Sequence, residues 1–144
     1  MTVQIIENHP TTEITIKCPK ATSEINQLAL LLQSHGQTLP CTIDNTTHLV
    51  HRHDILYVES VDKRCFICTA HDVYETALKL YQTEELLDDG LFFRSSKSQV
   101  INLKKIKSLC PEFGGRIEAV LENGERLIVS RQYAKSLKER LGIR

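Results

Sequence analysis

The sequence lacks the features that would place it in a membrane or a secreted class. None of its apolar runs approaches the ~20 residues that are needed to cross a bilayer. Residues 1–7 carry neither a basic segment nor a long apolar core, so we expect no signal peptide and a cytoplasmic location. The 144 residues are 25% charged, 41% apolar and 6% aromatic. That composition is typical of a globular domain and excludes a disordered, collagenous or disulfide-scaffold protein.

Common catalytic and nucleotide-binding motifs are also missing. The sequence contains no GxGxxG, GxxxxGK[ST], HExxH or GxSxG. No pair of carboxylates and no Ser/His/Asp set stands out by its spacing. We therefore expect no enzyme, no cofactor and no small-molecule substrate.

The cysteines give little support for disulfides or metal. Five occur: Cys18, Cys41, Cys65, Cys68 and Cys110. An odd number in a chain without an export signal disfavours structural disulfides. Cys65 and Cys68 lie in an alternating segment typical of a strand, where residues three apart point to opposite faces. His51 and His53 could share one strand face, but no third ligand is evident. Buried or idle cysteines are the simpler interpretation, and thiol or metal sensing is the alternative.

The formal net charge of zero conceals an uneven distribution. Residues 94–144 contain twelve basic and five acidic residues, a net charge of +7. Residues 1–93 contain six basic and thirteen acidic residues, a net charge of −7. A polyanionic partner is therefore compatible with the overall neutrality. The alternative is that the two stretches neutralise each other.

Residue patterns predict an α+β fold with a mainly antiparallel sheet. Residues 3–6 and 13–17 alternate like two short strands. Thr22 or Ser23 is expected to cap a helix that ends at Gly36. Further strands are predicted at 38–44, 47–51, 55–60, 64–70, 73–76, 92–94, 99–102, 106–110, 116–122 and 125–130. Asn123-Gly124 is a hairpin signal, a second helix is predicted to end at residues 88–90, and Ser130 is expected to cap a final helix. We predict a β/α appendage at 1–45 and a main domain at 46–144.

The segment 92–106 carries the functional argument. Apolar residues flank a loop of Arg94, Ser95, Ser96, Lys97 and Ser98 that has no acidic residue. Small hydroxyls and flexible cations suit contacts with phosphate groups. Arg131, Lys135 and Lys138 recur along one side of the final helix, whose N-terminus could hold an anion. The alternative is that these cations only solubilise an exposed face.

These residues resemble a known family. The run from Phe93 to Ile106 is similar to the central signature of the LytTR DNA-binding domain. The run from Val129 to Tyr133 resembles its strand-to-helix junction, and 55–60 resembles its opening strand. The resemblance covers about residues 46–142.

The resemblance implies an elongated β domain whose loops enter successive major grooves of double-stranded DNA. Members bind paired repeats as two copies, so a homodimer is expected at least on DNA, in a bacterial, response-regulator-like transcription regulator. The DNA-binding residues that it implies are Lys63, Arg64, Arg94, Ser96, Lys97, Ser98, Asn102, Ser130, Arg131 and Lys135. Lys97 lies where many members have Arg or Asn, and Ser96 replaces a common His. For Ser96, contact with a phosphate and contact with a base are both alternatives.

Two further expectations come from what surrounds the matched region. Many relatives carry a receiver domain before it, whereas here only about 45 residues precede it. We expect a short, freestanding regulator without phosphorylation control. Some short relatives are encoded beside a membrane protein, a partner that the sequence does not show. The alternative function is a protein-interaction or effector-sensing module that retains the β scaffold without specific DNA binding.

Overall fold

The computed structural model describes residues 1–33, 37–88 and 90–143. The chain divides into two compact units, residues 1–35 and residues 36–144. Within residues 1–33, the part of the first unit that is described, there is one helix, α1 (Ser23–Gln33). The Ile25 N–H donates to Thr22 Oγ1 at 3.3 Å, which confirms Thr22 as the predicted cap. The predicted end of this helix at Gly36 lies outside the described residues.

The two strands predicted at 3–6 and 13–17 are wrong. Residues 1–22 form neither strand nor helix, and their apolar side chains Val3, Ile5 and Ile14 are exposed. An alternating segment becomes a strand only when its N–H and C=O groups pair with a neighbour. The alternation at 3–6 and 13–17 finds no such partner, so the appendage is a helix preceded by irregular chain.

The second unit contains ten strands and two helices in its described residues. They are β1 (Thr38–Ile43), β2 (Thr46–His51), β3 (Ile55–Val61), β4 (Arg64–Thr69), β5 (Val73–Thr76), α2 (Leu80–Leu86), β6 (Phe92–Ser96), β7 (Gln99–Asn102), β8 (Ile106–Pro111), β9 (Ile117–Leu121), β10 (Arg126–Val129) and α3 (Arg131–Leu141). The first seven strands form one sheet in the order β2-β1-β5-β4-β3-β7-β6, and the last three form a second sheet in the order β10-β9-β8. Neighbouring strands pair antiparallel, which confirms the predicted fold class.

The boundary predicted at residues 45/46 lies between β1 and β2, which pair with each other from Thr38↔His51 to Ile43↔Thr46. β1 therefore belongs to the same sheet as the rest of the second unit. Whether residues 46–144 suffice for function stays a prediction.

Two hydrophobic cores form because successive strand residues face opposite sides of the seven-stranded sheet. Val58, Ile67 and Val100 belong to the core that also includes β1 and α2. Ile101 belongs to the other core, where the three-stranded sheet and α3 pack. Each central strand is thus buried on both faces, which makes it a stiff support for the turns at its ends.

The final helix begins and ends where the sequence predicts. Ser130 is the N-cap residue, and Gly142 closes the helix in the left-handed conformation at φ 70°. Ala134 and Leu137 bury its inner face. No helix among the described residues is long and apolar enough to cross a membrane.

Candidate nucleic-acid interface

The turns β3–β4 and β6–β7 lie side by side at one end of the large sheet. β3 and β7 are antiparallel neighbours with Glu59 opposite Gln99. The Ser60 N–H donates to the Ser98 carbonyl at 2.8 Å. The last residues of β3 and the first of β7 therefore meet, and the turns next to them meet as well. We call this edge of the sheet the loop end.

The start of α3 is held at the same loop end. The Ser130 N–H donates to the Ser95 carbonyl at 2.9 Å, two residues before the β6–β7 turn. The Ser130 hydroxyl makes no capping hydrogen bond with its own helix. The first turn of an α-helix has N–H groups without intrahelical partners, and these favour anions. This helix start therefore places N–H groups without intrahelical partners beside the two turns.

The β3–β4 turn is shaped by its two central residues. Asp62 and Lys63 have φ of 49° and 67°, as a two-residue hairpin turn of the right twist requires. Lys63 is exposed, and its ammonium group forms no ion pair with a described residue. It is therefore available for an external anion.

The β6–β7 turn presents Lys97 and Ser98. Both are exposed, and Lys97 forms no ion pair with a described residue. Ser96 Oγ accepts from the Ser98 N–H at 3.2 Å and lies 3.4 Å from Ser98 Oγ. The two hydroxyls thus tighten the turn while Lys97 extends beyond it.

Arg94 supports this turn from behind. Its Nε donates to the Ser96 carbonyl at 2.7 Å, and its Nη2 donates to the Lys97 carbonyl at 2.5 Å. Its Nη1 lies 3.4 Å from a carboxylate oxygen of Glu84 in α2. With its side chain only 27% exposed, the guanidinium holds the backbone that carries Lys97. The structure therefore makes Arg94 a positioning residue.

Arg64 is also occupied within the protein. Its Nε and Nη2 donate to the two carboxylate oxygens of Glu75 at 2.9 and 2.6 Å. Hydrogen bonding to this guanidinium lowers the pKa of Glu75. The same group lies 5.5 Å from the centre of the Phe66 ring. A phosphate would have to compete with Glu75 for Arg64.

The prediction of Asn102 as a DNA-binding residue is not supported by its position. Asn102 is 3% exposed and pairs with Phe92, at the opposite end of β7 from the turn. Its Nδ2 donates to the Ile55 carbonyl at 2.9 Å, and its Oδ1 accepts from the Lys104 N–H at 3.1 Å. Both halves of the amide are used inside the protein, so its role is to join β3 and β7.

Arg131 and Lys135 lie on the exposed side of α3. Neither forms an ion pair with a described residue. Arg131 starts the helix, next to the Ser130–Ser95 hydrogen bond, and Lys135 follows one turn later on the same side. The loop end therefore collects Lys63, Lys97 and Arg131 from three separate elements.

One neighbour of this group, the β8–β9 loop at 112–116, was not predicted from the sequence. A Cβ placed on Gly115 would lie 3.2 Å from Arg131 Cγ, so the loop backbone lies against that side chain. The signal was present in the Asn123-Gly124 hairpin, because pairing outward from that turn brings Ile117 opposite Val129.

The thiols of the second unit are mostly buried. Cys65 belongs to one core and Cys68 to the other, as expected for strand residues three apart. Burial raises the pKa of Cys68 and of Cys41 to about 11, and it also raises the pKa of Cys65. The rings of His51 and His53 are 5.2 Å apart, and no third metal-binding side chain joins them among the described residues.

Comparison with known proteins identifies the family. The sequence model of the LytTr DNA-binding domain matches residues 45–142. The chain therefore belongs to the LytTR family of DNA-binding regulators, which is not an enzyme family.

Relatives and a solved structure agree with this assignment. An uncharacterized HTH-type transcriptional regulator of Staphylococcus aureus strain bovine RF122 / ET3-1 is 34% identical over 140 residues, 94% of this chain and 93% of that protein. The sensory transduction protein LytT of Enterococcus faecalis is 30% identical over 75% of this chain and 45% of its own length. The LytTr DNA-binding domain of a Bacillus cereus methyl-accepting/DNA response regulator superposes with a TM-score of 0.71 at 24% identity, covering 74% of this chain and 98% of that one.

The position of Asn102 predicts a loss of stability on substitution. Asn102→Ala leaves the Ile55 carbonyl and the Lys104 N–H without their partner, and we expect the free energy of unfolding to fall by roughly 1–3 kcal/mol. Urea unfolding monitored by circular dichroism measures this change. Ser136→Ala, on the exposed side of α3, is the control and should stay within about 0.5 kcal/mol. A fully folded Asn102→Ala protein that had lost its affinity for DNA would contradict the assignment.

The burial of the cysteines predicts two classes of thiol. Cys18 and Cys110 are exposed, whereas Cys41, Cys65 and Cys68 are buried. We expect two thiols to react quickly with a chromogenic disulfide at pH 8 and the other three to react only after unfolding, because reaction requires an accessible thiolate. The Cys18→Ser/Cys110→Ser variant should lose the fast phase. A third thiol that reacts quickly in the native protein would contradict this prediction and would support the alternative of thiol sensing.

Proposed function

We propose that this protein regulates transcription by binding double-stranded DNA sequence-specifically through the loop end, without catalysing a reaction. Two copies bind paired repeats, and the protein acts in the cytoplasm. The observation that carries the proposal is the convergence of Lys63, Lys97 and Arg131 at one end of a rigid sheet, each without a carboxylate partner among the residues that the structure describes. The family assignment supports duplex DNA as the polyanion.

The residues of the β3–β4 turn, the β6–β7 turn and the start of α3 make different contacts with DNA. Lys97, whose ammonium group forms no ion pair with a described residue, approaches base edges or the phosphates that flank them. Ser96, Ser98, Ser130 and Lys135 contact the phosphate backbone, where compact hydroxyls and mobile cations fix register. Arg94 holds the backbone of the β6–β7 turn, and Arg64 is paired with Glu75.

Separate turns rather than a recognition helix meet the duplex in this arrangement. Each turn protrudes from the end of a different strand or helix, and backbone hydrogen bonds fix their mutual spacing. Such a row of protrusions fits successive major grooves, whose edges carry the sequence-specific pattern of donors and acceptors. We assign DNA binding to residues 46–144.

Substitution of Lys97 tests the proposal. Lys97→Ala should weaken binding to the preferred duplex by roughly 1–3 kcal/mol and relax the sequence preference if Lys97 contacts a base. If Lys97 contacts only phosphate, affinity should fall evenly for all sequences and the salt slope should drop by about one. Mobility-shift titrations at several salt concentrations, with duplexes selected from a random pool, measure both quantities.

Lys104→Ala is the matched control for this experiment. Lys104 is exposed like Lys97 and carries the same charge, but it follows β7 at the end remote from the loop end. Its loss should change duplex affinity less than twofold at constant salt. Equal losses for Lys97→Ala and Lys104→Ala, or a wild-type protein without salt-dependent duplex binding, would overturn the proposal.

A further inference from the structure

The β8–β9 loop presents an aromatic ring to solvent. Pro111 pairs with Ile117, and the Glu112 N–H donates to the Arg116 carbonyl at 2.8 Å, so the loop is closed at its base. Phe113 is 94% exposed at its top. Gly114 and Gly115 follow with φ of 83° and 81°, a conformation that side chains disfavour.

This loop lies at the loop end, beside Arg131. β9 and β10 pair with Ile117 opposite Val129, one residue before the Ser130–Ser95 hydrogen bond. The absent Cβ of Gly115 would lie 3.2 Å from Cγ and 3.5 Å from Cδ of Arg131. The glycine therefore leaves room for the stem of Arg131 to extend along the loop.

We propose that the 112–116 loop is a fourth DNA-contacting element, in which the Phe113 ring packs against apolar groups of the duplex beside the phosphates that Arg131 contacts. This inference rests on the proposed function. A phenyl ring can pack on a thymine methyl group in the major groove. Arg116, exposed at the base of the loop, donates from Nε to the Phe113 carbonyl at 3.4 Å and adds a second cation to the loop.

Charge and size favour DNA over a second copy of the chain as the partner of this ring. Two exposed cations lie at this loop, because Arg116 Nε donates to the Phe113 carbonyl at 3.4 Å and Arg131 lies against Gly115. A symmetric contact would bring the same cations of both copies together. One ring also provides far less area than the roughly 800 Å² per partner of a stable protein interface. A polyanion, in contrast, is attracted to both cations.

Alanine and tryptophan substitutions test the inference. Phe113→Ala should weaken binding to the duplex selected by the wild-type protein by roughly fivefold, which corresponds to about 1 kcal/mol. Val73→Ala is the matched control, because Val73 is also an exposed apolar residue (61%) but starts β5 opposite Cys68, away from the loop end. Its affinity should not change.

Tryptophan fluorescence reports the contact directly. The chain has no tryptophan, so Phe113→Trp and Val73→Trp each carry a single reporter. Adding the selected duplex should shield Trp at position 113 from acrylamide quenching and leave Trp at position 73 unshielded.

The outcomes separate this inference from the proposed function. Wild-type protein that fails to bind any duplex would refute the proposed function itself. Wild-type binding with unchanged affinity of Phe113→Ala and no shielding at position 113 would overturn only the loop contact. A change in oligomeric state of Phe113→Ala, measured by sedimentation, without a loss of DNA affinity would assign the ring to a second copy and would also overturn it.

Discussion

Two backbone hydrogen bonds determine whether the loop end can act as one surface. The Ser60 N–H bonds to the Ser98 carbonyl, and the Ser130 N–H bonds to the Ser95 carbonyl. The first joins the β3–β4 turn to the β6–β7 turn, and the second joins the β6–β7 hairpin to α3. Exposed turns otherwise move independently on fast timescales. The groove spacing of a duplex is fixed, so turns that move independently would lose conformational entropy on binding to it. Turns that are already held at a fixed spacing lose less.

Most strands of the second unit and the ends of its final helix were predicted correctly, because each is marked by a few residues close together in the sequence. Alternation identified the strands, Asn123-Gly124 identified the β9–β10 hairpin, and Ser130 and Gly142 marked the ends of α3. The same alternation wrongly predicted a strand at residues 3–6, because a strand also needs a neighbouring strand to pair with. Strand formation depends on a neighbour that a short window cannot contain.

The roles of the site residues were harder to predict, because whether a side chain bonds inside the protein depends on residues that are distant in the sequence. Asn102 looks like a polar residue at the end of a strand, yet its amide bonds to the Ile55 carbonyl, 47 residues earlier in the chain. Arg64 looks like a free cation in a turn, yet Glu75 from the neighbouring strand binds it with both oxygens. Residue type and loop position therefore pointed to the loop end, while the division between unpaired and internally bonded side chains required the packed structure.

The ion pairs among the described residues bear on the two interpretations of the uneven charge. Between described residues, four lysines or arginines pair with carboxylates, and just one pair, Arg94–Glu84, joins residues 94–144 to residues 1–93. Mutual neutralisation of the two stretches would need many such pairs. Lys105–Glu122 and Arg126–Glu118 pair within residues 94–144, and Lys63, Lys97 and Arg131 form no ion pair with a described residue. Since local potential and not net charge attracts a polyanion, a chain of zero formal charge can present a cationic end.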